Sequence, residues 1–542
     1  MDGTSGGVAR HGRVASGNAV AWFLDRHVAE GRGGALAFVD PARRLTYAEL
    51  AGASARFAGG LRAAGIGRER RLALLMLDTV DFPIAFWGAL RAGVVPVPIN
   101  TLLPTEQVAY ILEDSRAEAV VVSAPLVPAL KPALARCPGV KLVLEASLDG
   151  GSASEDGTSA AHDLAHFLAG STAEPEPAPA SPDEVAFWLY SSGSTGAPKG
   201  VKHVHSSLRA TADTYGAQVL GIAPDDLVFS AAKLFFAYGL GNAMTFPMSV
   251  GAAAALLPDR PTPDAVLAAM RAHRPTVFGG VPTLYAAMLS HPGLGRGAGS
   301  DRLRRCISAG EALPEHVGQR WAETVGVDIL DGIGSTEMLH IFLSNRPGEV
   351  RYGTSGVAVP GYELRVVDEA DRDVADGETG ELLVRGPSAA EGYWNQRDKS
   401  RRTFQGEWAR TGDKYQRDAG GFYRYQGRAD DMFKVSGIWV SPFEVEAALM
   451  SHPAVQEAAV VGRDDEDGLT KPMAFVVLKD PSALSAGGDA ALFGALREHV
   501  KARAGPWKYP RWIEVAEDLP KTATGKIQRF KLRAAVAGGQ TL

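Results

Sequence analysis

At 542 residues the chain is too long for one compact core, and its 46% apolar and 22% charged content is that of an ordinary globular protein. A formal net charge of -6 with no basic tract argues against nucleic-acid binding. Two cysteines, Cys137 and Cys306, cannot build a disulfide framework and sit in no metal-ligand pattern, which fits a reducing cytosol.

Residues 1–16 are glycine-rich without the apolar centre of a signal peptide, and read as a flexible lead-in. From about residue 40 helices and buried strands alternate. Thr46 to Glu49 forms a capping box opening a helix through Leu50 and Phe57. The apolar stretch 72–98 is broken by Asp78, Asp81, Pro83 and Arg91, so it reads as strand–helix–strand and not as a membrane span. Residues 72–77 and 119–123 suit interior strands. Ser, Gly, Glu, Pro and Ala dominate 150–182, which reads as a long surface excursion with one helical island near Leu164.

Residues 185–190 then form a buried strand that opens into Tyr-Ser-Ser-Gly-Ser-Thr-Gly-Ala-Pro-Lys-Gly at 190–200. Small and hydroxyl residues present backbone N–H groups and hydroxyls to a phosphate, and Lys199 adds a point charge. Gly200 stands where a P-loop has Ser or Thr, so the mononucleotide fold is not implied. Such clusters also mark ordinary loops.

Further along, Gly332-Ile-Gly-Ser-Thr-Glu337 follows an apolar run. Its glycines permit close backbone approach, Thr336 can donate to phosphate and Glu337 can hold a hard cation. The texture turns to β over 357–408. Thr411-Gly-Asp413 places a carboxylate after a tight turn, suited to two ribose hydroxyls. A polar turn at 427–431 begins a smaller α+β pattern, in which Ser441-Pro-Phe-Glu444 is a second capping box with proline at the first helical position. Strands are expected over 458–461 and 473–478, and a helix over 492–502. Near the end, Leu519-Pro-Lys-Thr-Ala-Thr-Gly-Lys526 carries a lysine beyond a flexible glycine. Taken singly, each of these motifs has a bland reading as a cap, a loop carboxylate or a solvated lysine.

In this order and company the motifs resemble the adenylate-forming superfamily of acyl-CoA synthetases, peptide-synthetase adenylation domains and luciferases, over about residues 40–535. The segments 233–242, 334–346 and 434–446 are similar to benzoate-CoA ligases in particular. The resemblance implies an α/β fold: a large N-terminal domain of helix-flanked β-sheets with a β-rich subdomain, and a small mobile α+β C-terminal domain. The expected division is a flexible 1–16, an ATP and acid domain over 17–429, and a mobile domain over 430–542 with its hinge at Asp430.

The resemblance also implies roles, and ATP, Mg²⁺ and CoA as cofactor and co-substrates. Ser191, Ser192, Gly193, Ser194, Thr195, Gly196 and Lys199 would hold the β- and γ-phosphates, and Thr336 the α-phosphate. Glu337 would bind the metal. Ala309, Gly310, Glu311, Ala312, Asp331, Gly332, Ile333, Gly334 and Ser335 would enclose adenine, with Asp413 and Arg428 on the ribose. Ile333 replaces an aromatic that many members stack on adenine. Lys526 would bridge the carboxylate and the α-phosphate, and His205 matches a histidine that follows the phosphate loop, with His203 close enough to confuse the assignment. Lys434, Gly437 and Trp439 would meet the pantetheine arm of CoA after domain rotation.

For the acid, no carboxylate stands in Phe236-Ala-Tyr238 to meet an α-ammonium, so amino acids are disfavoured. Ala237, Tyr238, Gly239, Gly280, Gly332, Ile333, His340 and Ile341 would form a flat apolar slot for a benzene ring, whereas Phe235, Phe236 and Ile341 also read as core. Benzoate is the first expectation, with hydroxy-, amino- and fluorobenzoates behind it and medium-chain fatty acids further off. A carrier protein in place of CoA, a luciferase-type monooxygenase and a silent nucleotide-binding protein are the rival readings. A homodimer is a compatible assembly, and no membrane or nucleic-acid partner is expected.

Overall fold

The computed structural model describes residues 17–150, 162–193, 196–297, 299–429, 431–435, 438–466, 468–480, 489–521 and 527–538. The stretch 1–16, read from sequence as a lead-in, lies outside them, as do Ser194, Thr195, Asp430, Gly437 and Lys526.

The first helical layer starts where the sequence places it. Thr46 Oγ1 accepts the Glu49 N–H at 3.3 Å while a Glu49 carboxylate oxygen accepts the Thr46 N–H at 2.8 Å, and the helix Tyr47–Ala63 follows. It lies so close to the helix Asp81–Ala92 that a Cβ on Gly88 would fall 2.7 Å from Phe57. Beneath them runs an all-parallel sheet in the order Val95–Pro98, Arg71–Leu75, Ala117–Ser123, Leu142–Ala146, His162–Asp163. Its inner strands are apolar on both faces, as covered parallel strands must be.

Where it is described, the excursion over 150–182 lies largely on the surface and carries its helical island at Leu164–Gly170, as expected, but it is anchored to the core at several points. Leu164, in the helix Leu164–Gly170, is buried, and the Thr172 carbonyl would meet a Cβ on Gly59. Arg91 donates to the Pro175 carbonyl, and Asn18 Nδ2 donates to Leu90 O and Ala178 O at 2.8 and 3.1 Å. The close glycine face of the helix Tyr47–Ala63 lets this surface segment lie tightly against it.

A second sheet of nine strands runs Val357–Ala358, Ile341–Ser344, Ile329–Gly334, Arg305–Ser308, Val277–Gly280, Leu227–Ser230, Ala253–Ala255, Leu36–Val39, Arg44–Thr46. Its six middle strands are parallel and its outer ones antiparallel. The β-rich region is a five-stranded antiparallel sheet built on Glu363–Val367, Thr379–Arg385 and Trp408–Arg417. Packed against the first sheet, Val185–Gly193 and Gly196–Val204 form a hairpin to which Gly392–Tyr393 adds a third strand.

Beyond residue 431 a separate sheet forms from Val455–Asp464, Thr470–Leu478 and Trp512–Val515, packed with the helices Pro442–Met450 and Asp489–Ala504. Only half of the second capping box forms. Ser441 Oγ accepts the Glu444 N–H at 3.2 Å, but the Glu444 carboxylate is taken by Lys508 Nζ.

Candidate active site

Open α/β sheets bind ligands beyond the carboxyl ends of their parallel strands. Three neighbouring strands here end together, because Gly280 is in register with Ser308 and Ser308 with Asp331. That alignment gathers Gly280, the segment 308–312 and the segment 331–337, which lie far apart in sequence. Ala309 is buried and Gly310 exposed at φ +98°. Burial pushes the Asp331 carboxyl up to about 8.

The strand Ile329–Gly334 folds back onto Ile341–Ser344, with Gly332 opposite Ser344 and Gly334 opposite Ile341. A Cβ on Gly332 would lie 2.7 Å from Leu343 O, and one on Gly334 2.5 Å from His340 O. The turn between carries Ser335, Thr336 and Glu337. Ser335 Oγ accepts the Met338 N–H at 3.2 Å, and Leu339 takes the left-handed φ of +63°.

Glu337 faces the candidate phosphate hairpin. Lys199 Nζ lies 2.7 Å from Glu337 Oε1 and 2.8 Å from the Tyr393 hydroxyl, which itself donates to Glu337 Oε1 at 2.8 Å. Burial works to raise the Glu337 carboxyl, but Lys199 and Tyr393 together hold it below its ordinary value. Sequence reasoning missed Tyr393, which lies 194 positions from Lys199; strand pairing of Gly392–Tyr393 with the hairpin brings it in. Gly200 follows the lysine because the Tyr190 ring lies beneath it, with 3.1 Å between a Cβ and Tyr190 Cζ. Ser191 is half-buried on the same hairpin, and the backbone of Ser192, Gly193 and Gly196 continues it.

The two histidines separate. His203 is fully buried, stacks on Phe187 at 5.2 Å and meets Thr336 O through Nε2 at 2.8 Å. His205 instead accepts the Ala19 N–H at Nδ1, 3.2 Å away, and its own N–H goes to Glu184 O. The strand stops at Val204 and a helix begins at His205, so the two rings point to different surroundings. Burial drives both imidazoles down to about 4.

Thr411, Gly412 and Asp413 lie inside the long strand Trp408–Arg417, not after a tight turn. A shift of register between Glu381 and Leu383 provides the bulge, with Gly412 at φ +71° and Thr411 Oγ1 donating to Leu382 O at 2.8 Å. Arg428 Nη1 reaches Thr411 O at 2.8 Å and Asp413 Oδ1 at 3.2 Å, so this expected pair is brought together. Lys434 and Trp439 stand opposite each other in the hairpin Phe433–Val435 and Ile438–Val440.

The candidate acid pocket is aromatic. Tyr238, in the short helix Ala237–Leu240, donates to Gly280 O and Ile307 O at 3.1 and 3.0 Å, which fixes its ring at the strand ends. His340 is boxed by Tyr215, Tyr238 and Phe246, with ring centroids at 5.1, 5.7 and 4.5 Å. Its Nε2 lies 3.3 Å from Tyr238 O, its buried Nδ1 has no hydrogen-bond partner among the described residues, and burial lowers it to about 3. No sequence motif singles out Tyr215 or Phe246, and both are fully buried. Ile333 is half-buried nearby and Phe235 and Ile341 are core, whereas Phe236 is only half-buried. The small residues have packing reasons of their own: a Cβ on Gly239 would fall 2.1 Å from Lys233 O, and one on Gly280 2.8 Å from the Tyr285 ring.

Parallel strands ending at one edge, a lysine and a carboxylate meeting over a hairpin, and a separate C-terminal sheet fit an AMP-forming enzyme that activates a carboxylic acid. The chain belongs to the AMP-binding enzyme family: that family matches residues 25–394, and the AMP-binding enzyme C-terminal domain matches 444–526. Within it the chain is 54% identical over 522 residues to the 4-hydroxybenzoate–CoA/benzoate–CoA ligase of Rhodopseudomonas palustris, covering 96% of this chain and 95% of that one. It is 54% identical over 520 residues to the benzoate–CoA ligase of Thauera aromatica, covering 96% of each. The solved benzoate CoA ligase of Burkholderia xenovorans LB400 superposes with a TM-score of 0.87 at 51% identity, over 95% of this chain and 99% of that one. Among the described residues no helix is long and apolar enough to cross a membrane.

Proposed function

We propose that this chain is an ATP-dependent benzoate–CoA ligase that acts in two half-reactions. In the first, a benzoate oxygen attacks the α-phosphorus of ATP and pyrophosphate leaves, giving benzoyl-AMP. In the second, the sulfur of CoA attacks the acyl carbon, AMP leaves with the bonding pair and the thiol proton passes to solvent. The observation that carries the reading is the aromatic box of Tyr215, Tyr238 and Phe246 around His340, on the same strand–turn unit that presents Glu337 to Lys199.

Each group has a task that electrostatics requires. Two anions must meet, so positioned cations and donors supply most of the rate. Lys199 and the backbone of the hairpin hold the β- and γ-phosphates. Thr336 donates to the α-phosphate, and His203 holds the Thr336 carbonyl in place. Asp413 accepts the ribose hydroxyls while Arg428 orients it, and 309–312 with Asp331 to Ser335 face adenine. Lys526 bridges carboxylate and α-phosphate in the first step. The C-terminal domain then turns about Asp430, and Lys434, Gly437 and Trp439 line the CoA thiol path.

The described residues hold no group of three or more metal-ligating side chains. One carboxylate, Glu337, fits Mg²⁺ nonetheless, because that ion takes one or two carboxylates and completes its shell with substrate phosphates and water. When bound, Mg²⁺ neutralises phosphate charge.

Acid-dependent AMP formation with ATP, Mg²⁺ and either CoA or a carrier protein tests the reading across benzoates, hydroxybenzoates, aminobenzoates and medium-chain fatty acids. Turnover confined to aromatic acids with CoA supports it. Turnover only with fatty acids or a carrier protein, or none at all, overturns it. A hydroxybenzoate is the second candidate, because Nδ1 of His340 is a buried acceptor without a partner.

A further inference from the structure

Tyr393 is the residue among those described that touches both members of the Lys199–Glu337 pair. Its ring is 5% exposed and held on several sides. Its N–H donates to Ser400 Oγ at 3.0 Å, its strand pairs it with Val201, and Phe404 packs on it at 5.6 Å. The Thr403 hydroxyl stands 3.3 Å from its oxygen, and Lys199 Nζ lies 4.2 Å from its ring centroid. A tyrosine hydroxyl, with an ordinary pKa of about 10, is protonated at neutral pH. It is therefore a permanent donor aimed at one oxygen, Oε1, of a mostly buried carboxylate.

Lys199 and Glu337 neutralise each other at 2.7 Å. Under the ligase reading that contact must open, since Lys199 is needed on phosphate and Glu337 on the cation that accompanies ATP. A buried carboxylate that loses its ammonium partner is left costly and free to rotate. We infer that Tyr393 is a positioning residue for the adenylation half-reaction. Its hydroxyl keeps hold of Glu337 Oε1 when Lys199 turns to the phosphates, and so aims Oε2 at the cation. This inference rests on the proposed assignment of Lys199 and Glu337 to nucleotide and metal.

Tyr393→Phe removes the hydroxyl and keeps the ring, the Phe404 contact and the ring face under Lys199. Bonds to charged groups are the stronger kind, so the adenylation rate should fall about 10- to 100-fold. Thioester formation from preformed benzoyl-AMP should stay within about two-fold of the parent. The decisive readout needs no acid and no turnover: Mn²⁺ titrated by electron paramagnetic resonance into the complex with α,β-methylene-ATP. Mn²⁺ affinity should weaken about ten-fold or more in the variant, and metal-free analogue binding should hold steady. A double variant with Glu337→Gln should then add little to either single loss. Equal loss in both half-reactions, or unchanged Mn²⁺ affinity, would show that the hydroxyl only supports packing. Because this titration omits benzoate, an error about the acid would appear in the acid panel and not here.

Discussion

His203 donates its Nε2–H to the carbonyl oxygen of Thr336 across 2.8 Å, tying the candidate phosphate hairpin to the turn that carries Glu337. The bond requires the neutral tautomer with its proton on Nε2, and complete burial against Phe187 favours the neutral ring. His205 makes no such link: it braces the start of the described chain at Ala19.

The burial of these rings sets an acid limit. His203 and His205 fall from 6.5 to about 4 and His340 to about 3 on folding. A lowered folded value means that the unfolded chain binds the extra proton, so their contribution to stability is full above pH 6.5 and is lost as pH falls towards 4. Asp331 and Asp78, raised by burial to about 8 and about 6, act in the opposite sense, so a variant comparison isolates the histidine. His203→Gln should be less stable than the parent by about 1–3 kcal/mol at pH 7.5, with the deficit shrinking steadily between pH 6.5 and 4. Calorimetry across that range checks it; a pH-independent deficit would refute the buried neutral imidazole.

His340 should govern ring hydroxyls. Its Nδ1 can accept from a phenol, whereas an apolar side chain there leaves that phenol unpaired. In His340→Leu, kcat/KM for the hydroxybenzoate best accepted by the parent should drop at least about ten-fold relative to benzoate. Parallel assays of both acids give the ratio, and an unchanged ratio would place the imidazole outside the ring's reach.

Asp413 should be the group that recognises ribose. Asp413→Ala should raise the KM for ATP about 10- to 100-fold, the worth of hydrogen bonds to a charged acceptor. The same variant should lose the parent's preference for ATP over 2′,3′-dideoxy-ATP. If the preference survives, Asp413 serves only to hold Arg428, 3.2 Å away.

Lys526→Ala should slow benzoyl-AMP formation by about 10²–10³-fold, the scale of losing one preorganised charge stabiliser. Thioester formation from supplied benzoyl-AMP should stay close to the parent rate. Measuring the half-reactions separately decides it, and equal losses in both would remove the lysine from the first step.

Much was legible from the chain itself because its cause is local. The capping box at Thr46 and Glu49 depends on residues three apart, and the buried strand entering the glycine-rich hairpin depends on side-chain size. The motifs at 190–200, 332–337 and 411–413, taken in order, pointed to the right family. The same local logic erred where a neighbour intervened, as when Lys508 took the Glu444 carboxylate from its capping box.

What only the tertiary structure decided concerns distance. Pairing of Gly392–Tyr393 with Gly196–Val204 put a tyrosine between Lys199 and Glu337, and the change from strand to helix at His205 chose His203 as the histidine that touches Thr336. The glycines at 239 and 280, attractive as pocket floor, are set by the backbone of Lys233 and the ring of Tyr285. Sequence determines which chemical groups are available, through composition and short-range spacing. Which of them meet is set by strand register and close packing, and those forces act between residues that the sequence keeps up to hundreds of positions apart.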